Sequence, residues 1–165
     1  MPIHNHIAAV RTPDGKSFAP FRGALVAQGP IVLVQIEVPL ALAEQLQKTG
    51  QPVPPPVVGV ALIDTGAGVS GIDTTVIEQL QVQPVGQQMI GGVTGAKLRS
   101  KYPARFTFPG TNLPDMNFGE LVESEISNFS VPGAPGPPIA LIGRDILHHF
   151  VLIYNGPNGT FTLAC

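Results

Sequence analysis

Asp64 closes an apolar run, VVGVALI (57–63), and is followed by Thr65, Gly66 and Ala67. A strand core normally excludes an ionised carboxylate, because burying one without partners is costly. Asp64 is therefore either a turn residue at a strand end or a residue placed there for chemistry. Two further segments have residue types that bear on this. Ile139-Ala140-Leu141-Ile142 runs into Gly143-Arg144-Asp145, and Ile90-Gly91-Gly92-Val93-Thr94-Gly95 is rich in glycine. The glycines do not make a phosphate cradle, since no Lys-Ser/Thr follows and no helix opens there. His4 and His6 read as a solvated tail. His148 and His149 are adjacent, so on a helix they point in different directions. No metal and no cofactor are expected. Cys165, at the chain end, has no histidine context for a nucleophile.

The elements that must position these residues are short strands. Nineteen glycines and 18 prolines punctuate brief apolar runs, the pattern of an all-β chain with many turns. Residues 6–11 and 17–22 flank Thr-Pro-Asp-Gly and predict a hairpin. Residues 23–27 and 31–38 flank Gln-Gly-Pro, and the second run is β-branched and reads as a strand. Residues 40–48 (LALAEQLQK) predict a short helix, with Pro39 at its start and Gly50 at its end. QPVPPP then reads as a stiff spacer. After the strand ending at Asp64, Asp73 is placed to cap a helix over 74–80. Residues 87–108 read as a hairpin with a glycine-rich tip, and 118–127 as a half-exposed strand. ILHHF reads as a short helix, and VLIYN with TFTLA as a closing hairpin.

The 165 residues suit a single domain, with 1–30 as an N-terminal extension and 39–56 as a helical, proline-rich insertion. Charged residues are only 12% and the net charge is −2, so no strong field recruits nucleic acid or an acidic membrane. There is no basic stretch with interleaved aromatics, and a nucleic-acid role is not expected. Apolar runs are too short to span a bilayer, and the start lacks the pattern of an export signal. One cysteine permits no disulfide within the chain. These features point to a cytoplasmic location.

Three motifs, ALIDTGA (61–67), MIGGVTG (89–95) and ALIGRDIL (140–147), together resemble the retropepsin-like aspartic proteases, the retroviral protease family and its cellular relatives. They occur in the family's order and at roughly its spacing. The resemblance covers about 31–38 and 57–163. It implies an all-β acid-protease fold, with a closed β-barrel-like half-lobe, a flap hairpin and one or two short helices. It also implies a homodimeric hydrolase that cuts a peptide or protein substrate.

This chemistry uses two carboxylates sharing a proton, one as base toward a water and one as acid toward the carbonyl oxygen. The chain has one Asp-Thr-Gly; the nearest second copy, Ile72-Asp73-Thr74-Thr75, lacks the glycine. The second carboxylate then comes from a second copy across a twofold axis. By the resemblance, Asp64 holds the water, the Thr65 hydroxyl ties the dyad across the subunits, and Gly66 permits close approach. Gly91, Gly92 and Val93 form the flap tip. Ala67, Ile90, Ile139 and Leu141 contact the substrate, implying apolar residues around the cut bond. Gly143, Arg144 and Asp145 are structural. A shared proton further implies activity peaking on the acid side.

One departure stands out. Family members usually carry an acidic residue after D-T-G-A, and it pairs with the later arginine. Here that position is Gly68. Arg144 then needs another partner: Asp145, Asp73 or a backbone carbonyl. The same departure motivates an alternative, a catalytically inactive or self-processing module that binds peptides or dimerises.

Overall fold

The structure is a computed structural model and describes residues 2–92, 95–129, 131 and 133–165. Its frame is a sheet that closes on itself. Strand β4 (Ile31–Glu37) pairs antiparallel with β5 (Val57–Ile63), placing Val32 opposite Ala61 and Val34 opposite Gly59. β5 runs parallel to β10 (Pro138–Ile142), which also pairs antiparallel with β6 (Gly71–Asp73). β6 lies parallel to β9 (Met116–Ser124), β9 pairs with the long β8 (Gly95–Thr107), and β8 returns to β4. These six strands form a closed barrel with no free edge in the ring. β7 (Gly86–Gly92) extends outward from β8 as a hairpin.

The alternation of β4 explains the closure. Val32, Val34 and Ile36 are buried, whereas Leu33 is exposed. Period-two patterning sends one face inward. Ala61, Ile63, Ile72, Phe106, Leu121, Ala140 and Ile142 join that core. The all-β expectation holds.

A second, three-stranded sheet lies outside the ring. Its centre is β12 (Thr160–Ala164), flanked by β1 (Ile3–Ile7) and β11 (Val151–Asn155). The N-terminal strand thus pairs with the C-terminal strand of its own chain, Ile3 opposite Ala164. His6 is therefore not part of a solvated tail: its ring stacks on Phe161 with centroids 4.8 Å apart. Burial holds its pKa below the ordinary value, and His4 adds to the effect.

The expected hairpin around Thr-Pro-Asp-Gly is shorter than its sequence signal, with β2 (Ala9–Arg11) against β3 (Phe18–Pro20). The apolar run before Gln-Gly-Pro is no strand; it forms helix α1 (Ala24–Gln28), ended by Gly29 at φ 71°. Helix α2 (Leu40–Lys48) forms over the predicted residues, with Leu42 and Ala43 against the core. Helix α3 (Thr74–Leu80) is capped by Asp73, whose side chain accepts from the Thr75 N–H. Helix α4 (Arg144–Leu147) starts two residues before the ILHHF segment would place it. Starting at Arg144 brings both charged residues of Gly-Arg-Asp into its first turn.

Candidate active site

The parallel pairing of β5 and β10 decides the site. Leu62 lies opposite Leu141 and Ile63 opposite Ile142, so both strands end at one level. The Asp64 N–H then donates to the Ile142 carbonyl at 2.9 Å, continuing the ladder by one bond. The loop after Asp64 and the turn after Ile142 consequently meet, although some eighty residues separate them.

Asp64 itself is half-buried, with Thr65 and Gly66 exposed beside it. Its Oδ1 accepts the Gly66 N–H at 2.8 Å, fixing the side chain over the tight turn. Among the described residues, Asp64 enters no ion pair. Its carboxylate is held by the backbone rather than neutralised by a cation.

Arg144 supports the same turn from below. Its Nη1 donates to the carbonyls of Thr65 at 2.8 Å and Gly66 at 3.0 Å, and its N–H donates to Ala67 O at 3.0 Å. Backbone carbonyls are therefore the partners of Arg144. A side chain at Gly68 would begin 3.6 Å from Arg144 Nη2, so an acidic residue there would reach the guanidinium. Gly143 has no room for a side chain: a Cβ would stand 2.7 Å from the Val69 carbonyl oxygen.

Asp145 binds the other end of the loop. Its Oδ2 accepts the Ser70 N–H at 2.8 Å, and its Oδ1 accepts the Ser70 hydroxyl at 2.6 Å. Ser70 Oγ in turn accepts the Gly143 N–H at 2.8 Å. Ser70 is fully buried, and every polar group in this cluster has a partner. The Gly-Arg-Asp turn thus holds both ends of the Asp64 loop, Arg144 at residues 65–67 and Asp145 at residue 70.

Above the loop lies a recess of about 260 Å³, lined by the 66–71 segment, Ile90, Gly91, Val122, Ser124 and Leu141. Of the residues singled out in the sequence, it brings together Gly66, Ala67, Ile90, Gly91 and Leu141. Gly92 pairs with Gly95 at the hairpin end. Val93 and Thr94 lie outside the described residues. Ile139 stands apart: its side chain covers Gly59, in a separate groove with Leu33, Val58, Val60 and Pro135. A register shift between Pro138 and Ala140 accompanies this position.

No family model matches the sequence, and no curated protein matches it either. Among solved structures, the chain is similar to the EIAV protease complexed with the inhibitor HBY-793. That match has a TM-score of 0.44 and 21% identity, covering 73% of this chain and 86% of that one. It is also similar to a retropepsin-like aspartic protease from Rickettsia conorii, with a TM-score of 0.39 and 11% identity, covering 98% of this chain and 90% of that one.

Sequence reasoning missed Ser70, Val122 and Ser124. Ser70 had one signal, a lone hydroxyl inside the otherwise apolar run GVSGI. Val122 and Ser124 share a face of a half-exposed strand, and only the barrel's closure turns that face toward the loop. Among the described residues there is no cluster of side chains suited to a metal, and no helix is long and apolar enough to cross a membrane.

Proposed function

We propose that the chain is an aspartic endopeptidase that works as a homodimer. The observation that carries this reading is the mounting of Asp64. One carboxylate ends an apolar strand, fixed by the Gly66 N–H, on a turn held by Arg144 and, among the described residues, without an ion-pair partner. It sits beside a recess overhung by a glycine-bearing hairpin.

In this reading the β7–β8 hairpin is the flap, and a second copy brings its own Asp64 to the twofold axis. The two carboxylates share one proton, because like charges so close do not both ionise readily. The unprotonated carboxylate takes a proton from water as the water oxygen bonds to the peptide carbonyl carbon. The other gives its proton to the carbonyl oxygen. Collapse of the tetrahedral adduct breaks the C–N bond, with the amine nitrogen taking up a proton. Gly66 leaves space beside the reacting carbonyl, and Thr65 ties the two loops. The apolar lining from Ala67, Ile90 and Leu141 favours apolar substrate residues near the cut bond.

The test is a digest of a diverse peptide library from acid to neutral pH, with wild type and Asp64→Asn in parallel and products identified by mass spectrometry. Cuts between apolar residues that vanish in the variant are expected. Equal cutting by the two proteins would remove Asp64 from the chemistry. A folded wild type that cuts nothing at any pH would favour the peptide-binding module.

A further inference from the structure

The recess beside the Asp64 loop does not end at Ser124. It continues into a second one of about 190 Å³ that shares Ile90, Val122 and Ser124 with it and adds Lys97 and Arg99. The hairpin register explains the charge. Ile90 lies opposite Lys97 and Gln88 opposite Arg99, so these four side chains share one face of the hairpin. Met89 and Leu98 occupy the other face and are 61% and 57% exposed. The cation-bearing face is thus the one turned toward the recesses.

Neither cation is firmly neutralised. Among the described residues, Lys97 has no carboxylate within ion-pair distance. Arg99 reaches the exposed Glu125 only at 3.7 Å. Glu123 borders the same recess, but strand alternation sets its side chain on the opposite face of β9 from Val122 and Ser124. A small apolar compartment therefore adjoins a cationic one along a single wall.

In an extended peptide, side chains two positions apart point the same way, about 7 Å from each other. We propose that this wall selects an apolar residue for the first recess and an aspartate or glutamate two positions away for the second, where Lys97 and Arg99 hold the carboxylate. This rests on the endopeptidase reading and names the substrate class that the same site takes.

The test uses matched peptides with Glu, Gln or Lys two positions from a valine. Cleavage is measured with wild type, Lys97→Glu and Arg99→Gln, and binding to Asp64→Asn by fluorescence anisotropy. With wild type, kcat/KM is expected about tenfold higher for Glu than for Gln, with the ratio shrinking as salt rises. Lys97→Glu reverses the order in favour of Lys, and Arg99→Gln reduces the Glu/Gln ratio. Equal handling of Glu and Gln, or a wild-type preference for Lys directed by Glu123, overturns the proposal. If wild type cuts none of the peptides, the endopeptidase reading fails, and anisotropy decides the wall separately. Tighter binding of the Glu peptide upholds acidic selection, and equal binding refutes it.

Discussion

Ser70 and Asp145, 75 residues apart in sequence, join two loops through a two-point contact: the Ser70 N–H to Oδ2 and the Ser70 hydroxyl to Oδ1. Because Ser70 Oγ also accepts the Gly143 N–H, a single buried hydroxyl fixes the distance between the Asp64 loop and the Gly-Arg-Asp turn.

Ser70→Ala removes the hydroxyl half of the link, keeps the backbone N–H to Asp145 Oδ2, and strands the Gly143 N–H, a buried donor. A loss of about 1–3 kcal/mol in unfolding free energy is expected. Asp145→Ala removes the acceptors of the Ser70 N–H and hydroxyl and of the Ile146 N–H, and should cost at least as much. Urea unfolding of both variants and the double variant checks this. Strictly additive losses would contradict a shared contact.

Arg144→Lys separates charge from geometry. The guanidinium spans two carbonyls with one nitrogen and sits near Gly68 with the other. An ammonium keeps the charge and loses that planar fork. Peptide cleavage should fall about tenfold or more, with a stability loss of only about 1 kcal/mol, because the loop that carries Asp64 loosens before the barrel does. Unaltered cleavage would show that the carbonyl contacts do not position the site.

Asp73 gives a pH-dependent prediction. Burial pushes its pKa up, but hydrogen bonds from the Thr75 hydroxyl, the Ser127 N–H and the Thr75 N–H outweigh burial and hold it below the ordinary value. The unfolded chain then binds more protons in the acid range. Asp73's contribution is whole above the ordinary carboxylate pKa and is lost as pH falls through the folded value. Asp73→Asn should be less stable than wild type by about 1–3 kcal/mol at neutral pH. The gap should narrow progressively as pH falls below the ordinary carboxylate pKa and through the lower folded value. Thermal melts across pH measure it, and a gap that does not narrow with acidification would contradict the assignment.

Local chemistry made part of this structure legible in the sequence. Residues 40–48 are composed of helix formers, Asp73 stands where a cap is needed, and the valine-rich apolar run into Asp64 has strand character of its own. Residues 24–28 were not legible as a helix, because their turn depends on Gly29 at φ 71° and on burial of Leu25. Ser70 was not legible because its partner lies 75 residues away in sequence, on the turn after the neighbouring strand β10. The position of Ile139 against Gly59 depends on register, which no window of sequence contains. What escaped was long-range pairing, and the Asp64 loop is held mainly by such pairing.

The central claim is that one Asp64 works with the Asp64 of a second copy. The most direct measurement holds wild type at a fixed concentration and adds increasing Asp64→Asn protein, allowing subunits to exchange before peptide cleavage is assayed. A shared dyad requires mixed dimers to be inactive, so cleavage should fall to about a tenth at a tenfold excess of the variant. Cleavage that stays constant at every ratio would mean that each chain carries a complete site of its own, contradicting the dyad.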